Sequence, residues 1–152
     1  MELIIFTITS DATSLRLIVQ QNGINKCEVD AGGNFIVTGG GGLGYGAGSG
    51  GTVTQATSKS TAVTLNKPTG QIIMNNASLA AGASLGFSFF NSILSANDTL
   101  LVTGSGAPSG SYSIEARYMV NGACVIVVTN ITTASLSDAV VINFAIIKGA
   151  TA

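Results

Sequence analysis

The sequence predicts an all-β protein: a jelly-roll-like β-sandwich preceded by a short N-terminal β arm. Short segments rich in β-branched residues recur along the chain, with turn signals every 8 to 15 residues. No segment longer than a few residues has the 3.6-residue periodicity of a helix. Residues 140–147 (VVINFAII) are nearly all apolar, as expected of a central strand that is buried on both faces.

A glycine-rich run divides the chain. Residues 39–51 (GGGGLGYGAGSGG) carry glycine at nine of thirteen positions. Glycine has no Cβ to restrict φ, so such a run behaves as a flexible connector or a set of tight turns. We therefore expect an N-terminal arm at 1–38, a linker at 39–51 and a sandwich domain at 52–152.

The arm reads as four short strands. Residues 3–9 and 15–20 form a predicted hairpin, and 26–30 and 35–38 add two more strands. Such a unit is too small to bury a core alone, so we expect it to dock on the C-terminal domain, on a neighbouring copy or on a larger scaffold. The candidate attachment residues are the apolar side chains of the hairpin: Leu3, Ile4, Ile5, Phe6, Leu15, Leu17 and Val19.

In the third segment of the arm, charged and apolar residues alternate. Lys26, Glu28 and Asp30 share one face, with Cys27 and Val29 on the other. Glu28 and Asp30 have the spacing of a metal or glycosidase pair, but beside Lys26 this pattern is more typical of a charged, solvated edge strand.

The sandwich domain contains eight predicted strands separated by turn residues. They cover 52–55, 62–66, 71–75, 84–90, 99–103, 111–120, 124–130 and 140–147. Because the last strand is nearly all apolar, it could lie either in the core of a monomer or at the axis of an oligomer. The candidate oligomer-interface residues are Phe87, Phe89, Ile142, Phe144 and Ile146.

Segment 111–120 has the clearest pattern in the chain. Strict alternation places Tyr112 and Tyr118 on one apolar face, which predicts that both rings lie in the core and leaves Tyr45 as the exposed tyrosine. Asn121-Gly122 follows, the preferred pair for a type I′ hairpin turn.

Composition points to burial against other molecules. Of the 152 residues only 9% are charged, against about 25% in typical soluble domains, and 46% are hydrophobic. A large surface buried against copies of the chain or a partner assembly would account for this.

The six basic residues are scattered, so no nucleic-acid partner is expected. We also expect no membrane partner and, because Glu2 replaces a basic n-region, no signal peptide.

The residues offer little for catalysis, so we expect no enzyme activity, cofactor or metal. The chain has no histidine, which excludes Ser-His-Asp and Cys-His catalysis. Residues 46–51 match G-x-G-x-x-G, but β-formers follow in place of a helix, so a linker is the better interpretation. Cys27 and Cys124 read as free buried thiols rather than as a disulfide.

Two segments carry a family resemblance. From Gly44, GYGAGSGGTVTQATSKSTAVTLNKPTGQIIMNNASLAAGASLGFSF, and near the end LSDAVVINFAIIKG, the chain resembles a β-domain of tailed-bacteriophage virion proteins, such as head-decoration and tail-fibre proteins. The resemblance covers residues 43–152, and GTVTQ-x3-KST-x-VTLNK is its most specific block. It implies a virion location and a homotrimer, and it supplies no catalytic residue.

Together these observations predict a phage structural protein made in the bacterial cytoplasm. The sequence has an arm of 38 residues in place of a long repetitive shaft, which favours a capsid decoration or cement protein bound to the major capsid protein or another virion protein. The alternative is a tail fibre or knob protein that binds host-surface carbohydrate.

Overall fold

The computed structural model describes residues 5–11, 14–30, 32–38 and 40–150. The chain divides into two compact units, Met1–Gly44 and Tyr45–Ala152, with the boundary inside the glycine-rich run. All regular elements among the described residues are strands, so the protein is all-β. This part of the chain includes no helix of a length and apolarity that would cross a membrane.

The N-terminal unit is a four-stranded antiparallel sheet in the order β1-β2-β3-β4. Its strands are β1 (Ile5–Asp11), β2 (Ser14–Gln21), β3 (Ile24–Val29) and β4 (Phe35–Val37). Asn22 (φ 52°) and Gly23 (φ 74°) connect β2 to β3. Two successive positive φ values match the right-handed twist of the flanking strands, as in a type I′ turn.

The C-terminal unit is built from two four-stranded sheets. Its strands are β5 (Thr52–Thr54), β6 (Val63–Thr64), β7 (Thr69–Ile73), β8 (Ser84–Phe90), β9 (Thr99–Ser105), β10 (Tyr112–Val120), β11 (Ala123–Asn130) and β12 (Val141–Ile147). The first sheet has the order β10-β11-β8-β6, the second β5-β7-β12-β9. Two pairs are parallel, β5 with β7 and β6 with β8, and the other pairs are antiparallel.

The two sheets pack face to face in a sandwich-like arrangement around one apolar core. The rings of Phe89 on β8 and Phe144 on β12 meet across it, with centroids 4.9 Å apart. Every second side chain of β11 and β12 is buried, which is the period expected of strands with one face on the core.

The five candidate oligomer-interface residues all lie in this core. Phe87, Phe89, Ile142, Phe144 and Ile146 are buried within a single copy of the chain. A second copy cannot reach these side chains unless the sandwich opens. The apolar character of β12 therefore reflects the monomer core, and an interface between copies must use other residues.

The prediction that Tyr118 lies in the core is wrong, because a β-bulge interrupts the alternation of β10. The register with β11 shifts between Arg117 and Val120. Tyr118 has φ 52° and is 77% exposed, while Met119 packs against the core in its place. A bulge adds one residue to a strand and so redirects the side chains that follow it.

The turn that follows is also not type I′. Gly122 has φ 82°, but Asn121 does not have the positive φ that this turn requires at both central residues. The loop between β8 and β9 holds this turn by two hydrogen bonds. The Asn121 side-chain oxygen accepts from the amide of Ala96, and the Gly122 amide donates to the carbonyl of Leu94. Contacts with a neighbouring loop replace the intrinsic preference of Asn-Gly.

The second half of the predicted linker belongs to the sandwich. Tyr45, half exposed, donates its hydroxyl to the carbonyl of Ile146. The Gly51 carbonyl accepts from the amide of Gln71, and a Cβ at Gly70 would lie only 2.4 Å from that carbonyl oxygen. Gly70 is thus required by the close approach of two backbones.

Candidate attachment surface

One face of the N-terminal sheet is apolar. The register aligns Val19 on β2, Cys27 on β3 and Val37 on β4 in one row across the sheet. The next row pairs Val29 with Phe35. Residues two apart along a strand share a face, so these five positions form one continuous patch, which we call the arm face.

None of the described side chains of the N-terminal unit is buried; all are half-buried or exposed. Phe35 is 56% exposed although it lies in the arm face. Residues 40–44 fold beside this face and enclose a groove of about 560 Å³ together with Cys27, Phe35 and Val37. A sheet with one apolar face is stable when that face is covered, so the arm face has the character of an interaction surface.

The opposite face of the sheet is more polar. Glu28 lies in register between Ile18 and Ile36, and β3 is an inner strand rather than the charged edge strand predicted above. Asp30 lies beyond the end of β3, where its carboxylate accepts hydrogen bonds from the amides of Gly32 and Asn34 at 2.9 Å. Asp30 therefore caps a turn.

The predicted attachment residues divide into three groups. Leu3 and Ile4 lie outside the described residues. In the backbone register, Phe6 on β1 pairs with Val19 on β2. Leu15 and Leu17 precede Val19 on β2 at intervals of two residues. The Ile5 position pairs with Gln20.

Four residues of the arm face were absent from the predicted set: Cys27, Val29, Phe35 and Val37. The signal for them was present, since Cys27 and Val29 alternate with charged residues and Phe35 and Val37 are two apart. What the sequence did not reveal was the register that places both pairs beside Val19.

In the sandwich, Lys59, Tyr112 and Asp138 form one hydrogen-bonded cluster. The ammonium of Lys59, a buried residue, donates to the carbonyl oxygens of Asn75 at 2.7 Å and Asp138 at 2.5 Å. Burial lowers the pKa of Lys59, and the nearby Asp138 charge opposes that shift. The Tyr112 hydroxyl donates to the Asp138 carboxylate at 3.1 Å, and burial is the main cause that raises the pKa of Tyr112. This cluster ties the segment before β6 to the starts of β10 and β12.

A second ionic contact closes the C-terminal end of the sandwich. The Asp98 carboxylate accepts hydrogen bonds from the Lys148 ammonium and from the amides of Gly149 and Ser95. The Lys148 hydrogen bond is the largest cause that lowers the pKa of Asp98, and the two amides act in the same direction. The contact fixes the chain just after β12 to the loop before β9.

Buried side-chain amides hold three further loops. The Gln55 amide donates to the carbonyls of Lys59 and Thr61, at 2.9 and 2.8 Å. The Asn91 amide donates to the carbonyl of Lys67. Asn130, fully buried, donates to the carbonyls of Leu79, Ala80 and Ala134. These three side chains donate the hydrogen bonds that the loop carbonyls would otherwise receive from water, so the loop backbone can be buried.

Both cysteines are free: Cys27 is half-buried, and burial raises the pKa of the Cys124 thiol to about 11. Within the described ranges no three His, Cys, Asp or Glu residues come close enough together to hold a metal ion. Comparisons of the chain with protein-family models, with curated proteins and with solved structures find no match.

Proposed function

We propose that this protein is a structural protein of a tailed-bacteriophage virion, a capsid decoration or cement protein that assembles as a homotrimer. The sandwich would lie on the outer shell, and the arm face would attach to the major capsid protein or another virion protein. The observation that carries the proposal is the arm face: an apolar sheet surface in a unit where no described side chain is buried. Because a partner that binds only the intact shell stabilises it, many attached copies would act as cement.

The resemblance to phage virion domains supports the same proposal, and the structure gives its most specific block a physical role. Gln55 and Lys59 of that block hydrogen-bond loop carbonyls inside the sandwich. The block thus encodes a way of closing a β-sandwich, which is compatible with a structural protein and requires no catalytic residue.

The jelly-roll connectivity is part of the proposal. Eight strands in two sheets of four have the strand count of a jelly roll, but a jelly roll is antiparallel and the pairs β5–β7 and β6–β8 are parallel. An experimentally determined structure of the domain would test this connectivity at those two pairs.

Copy number in the particle is the first test. Quantitative mass spectrometry of purified virions would compare this chain with the major capsid protein. We expect near-stoichiometric abundance for a decoration protein. A few copies per particle would contradict a capsid location and favour a tail protein, and absence from the virion would overturn both.

Attachment is tested by two substitutions on adjacent residues of β4. Val37 lies in the arm face and Ile36 on the opposite face, and both are half-buried. We expect Val37→Asp to lower binding to particles that lack the protein by at least about tenfold, because it buries an unpaired charge. Ile36→Asp is the matched control and should bind like the wild type. Equal loss in the two variants would contradict attachment through the arm face.

One observation favours the tail-knob alternative. Tyr118 presents its ring to solvent and follows Arg117 in the sequence; the Arg117 guanidinium forms an ion pair with Glu115 at 2.7 Å on the same strand. An exposed aromatic ring suits contact with a sugar. If the chain is such a knob, Tyr118→Ala should abolish binding to host cells while leaving its incorporation into particles unchanged.

A further inference from the structure

The outer face of the second sandwich sheet carries no charged residue. Its side chains come from all four strands and alternate with the buried ones along β7, β9 and β12. They include Thr69, Gln71, Leu101, Ser105, Asn143 and Ala145. The outer face of the other sheet, in contrast, carries Glu115 and Arg117. We call the uncharged surface the β12 face.

The central polar groups of the β12 face are already paired with one another. The Gln71 amide donates to the Asn143 side-chain oxygen at 2.9 Å, and the Asn143 amide donates to the Ser105 hydroxyl at 3.2 Å. The Thr69 hydroxyl donates to the carbonyl of Phe144 at 2.8 Å. Burying these groups against another surface would leave few unsatisfied donors, so the usual cost of desolvating polar side chains is reduced.

The β12 face also has an exposed apolar side chain next to a depression in the surface. Ala145 lies in register between Thr69 and Leu101, and its small side chain leaves a depression of about 290 Å³. Leu101 stands at the edge of that depression and is 51% exposed. An apolar side chain on a second molecule would fill the depression, and Leu101 is itself such a side chain.

We propose that the β12 face is the contact between copies of this chain, with a second copy as its occupant. A surface without charges meets its own copy without like-charge repulsion, and it offers nothing to a partner that recognises charge. Leu101 of one copy would enter the depression over Ala145 of the other. The inference rests on the self-association included in the proposed function, and it names the surface responsible.

The dimensions of the face set the expected strength. Four strands about 4.8 Å apart and seven residues at about 3.3 Å each span roughly 400 Å² in projection. This is about half of the surface that each partner buries in a standard interface, which is the size of a weak interface, so we expect self-association that depends on protein concentration. Since no charges are involved, raising the salt concentration should not weaken it.

Sedimentation velocity on the full-length chain tests the proposal, from about 1 to about 100 µM. The wild type should form a species that is a multiple of its 15.2 kDa mass. Leu101→Glu and the nearly isosteric Asn143→Asp should weaken this assembly at least tenfold. Val120→Glu is the matched control, because Val120 is 52% exposed on the outer edge strand of the other sheet. Circular dichroism and thermal unfolding of each variant would establish that it is folded.

The results separate this inference from the proposed function. A wild type that stays monomeric at every concentration would overturn the inference, as would assembly that survives Leu101→Glu and Asn143→Asp but is lost in Val120→Glu or Val37→Asp. Copy number in virions is measured independently. A chain that self-associates through the β12 face but is missing from particles would contradict the virion proposal and support this inference.

Discussion

The N-terminal sheet and the C-terminal sandwich are both made of short strands, yet they differ in what covers them. In the sandwich two sheets bury a common core in which Phe89 meets Phe144. In the N-terminal unit four strands hydrogen-bond to one another, but no described side chain is buried. The sandwich therefore buries a core of its own, whereas within the N-terminal unit the described side chains of the arm face are half-buried or exposed.

This difference separates two uses of apolar residues that look alike in a sequence. Phe35 and Phe89 both sit in short strand-like segments next to other apolar residues. One is exposed on a single-layer sheet and the other is fully buried between two layers. Substitutions at such positions measure how far the two units differ in stability.

The largest effect is expected at the centre of the sandwich. Phe89→Ala removes a fully buried ring, so it should lower the free energy of unfolding by about 3–5 kcal/mol. Urea denaturation of the full-length chain, followed by circular dichroism, measures this change. A loss below about 1 kcal/mol would mean that the core tolerates a cavity there and that the contrast between the units is overstated.

A smaller but still large effect is expected at Lys59. Lys59→Met keeps most of the apolar part of the side chain but removes the ammonium that donates to the carbonyls of Asn75 and Asp138, which should cost about 1–3 kcal/mol. Lys67→Met is the control, since the Lys67 ammonium makes only one long exposed contact, 3.4 Å from the Gly48 carbonyl, and should change stability by less than about 0.5 kcal/mol. Equal effects in the two variants would argue against a structural role for the buried ammonium.

Asp98 should make a contribution that depends on pH. Because its contacts lower the pKa of Asp98 in the folded chain, the stabilisation is fully present above the unfolded value of about 3.9 and is lost as the pH falls through the folded value. Asp98→Asn should therefore have a lower melting temperature than the wild type, with a constant difference from about pH 5 to 8 and a shrinking difference below about pH 4. A difference that shrinks between pH 5 and 8 would assign the effect to another group.

The smallest effect on folding is expected in the arm face. Phe35→Ala should change the free energy of unfolding by less than about 0.5 kcal/mol, because the ring is 56% exposed. The same variant should still bind particles more weakly than the wild type. If Phe35→Ala destabilised the free chain as strongly as Phe89→Ala, the arm face would be covered in the free protein and the comparison would fail.

Much of this architecture could be predicted from periodicity and turns. The all-β class followed from strand-like segments between turn residues, and β8, β11 and β12 lie within or beside the predicted segments. The β10 bulge could not be predicted, because one extra residue between Arg117 and Val120 leaves no mark on composition. Its consequence was an error of one position: Tyr118 was expected inside, where Met119 lies.

The contact surfaces were harder to predict than the strands, for a physical reason. An apolar strand residue reads the same whether its sheet is covered by a second sheet or by a partner, so Phe144 and Ile146 were expected at an interface and lie in the core. The buried position of Lys59 was equally hidden, since its partners are backbone carbonyls, which every residue carries. Register and long-range contacts decide these points, and neither is local in sequence.

The buried anchors of the sandwich bear on how freely its loops can change. Asn130, Asn91 and Lys59 donate to main-chain carbonyls and not to side chains. Replacing a loop residue such as Ala80 or Ala134 leaves the bonded carbonyl in place. The side chains of these loops can therefore change in evolution one residue at a time, while the buried donors hold the loop backbone in place.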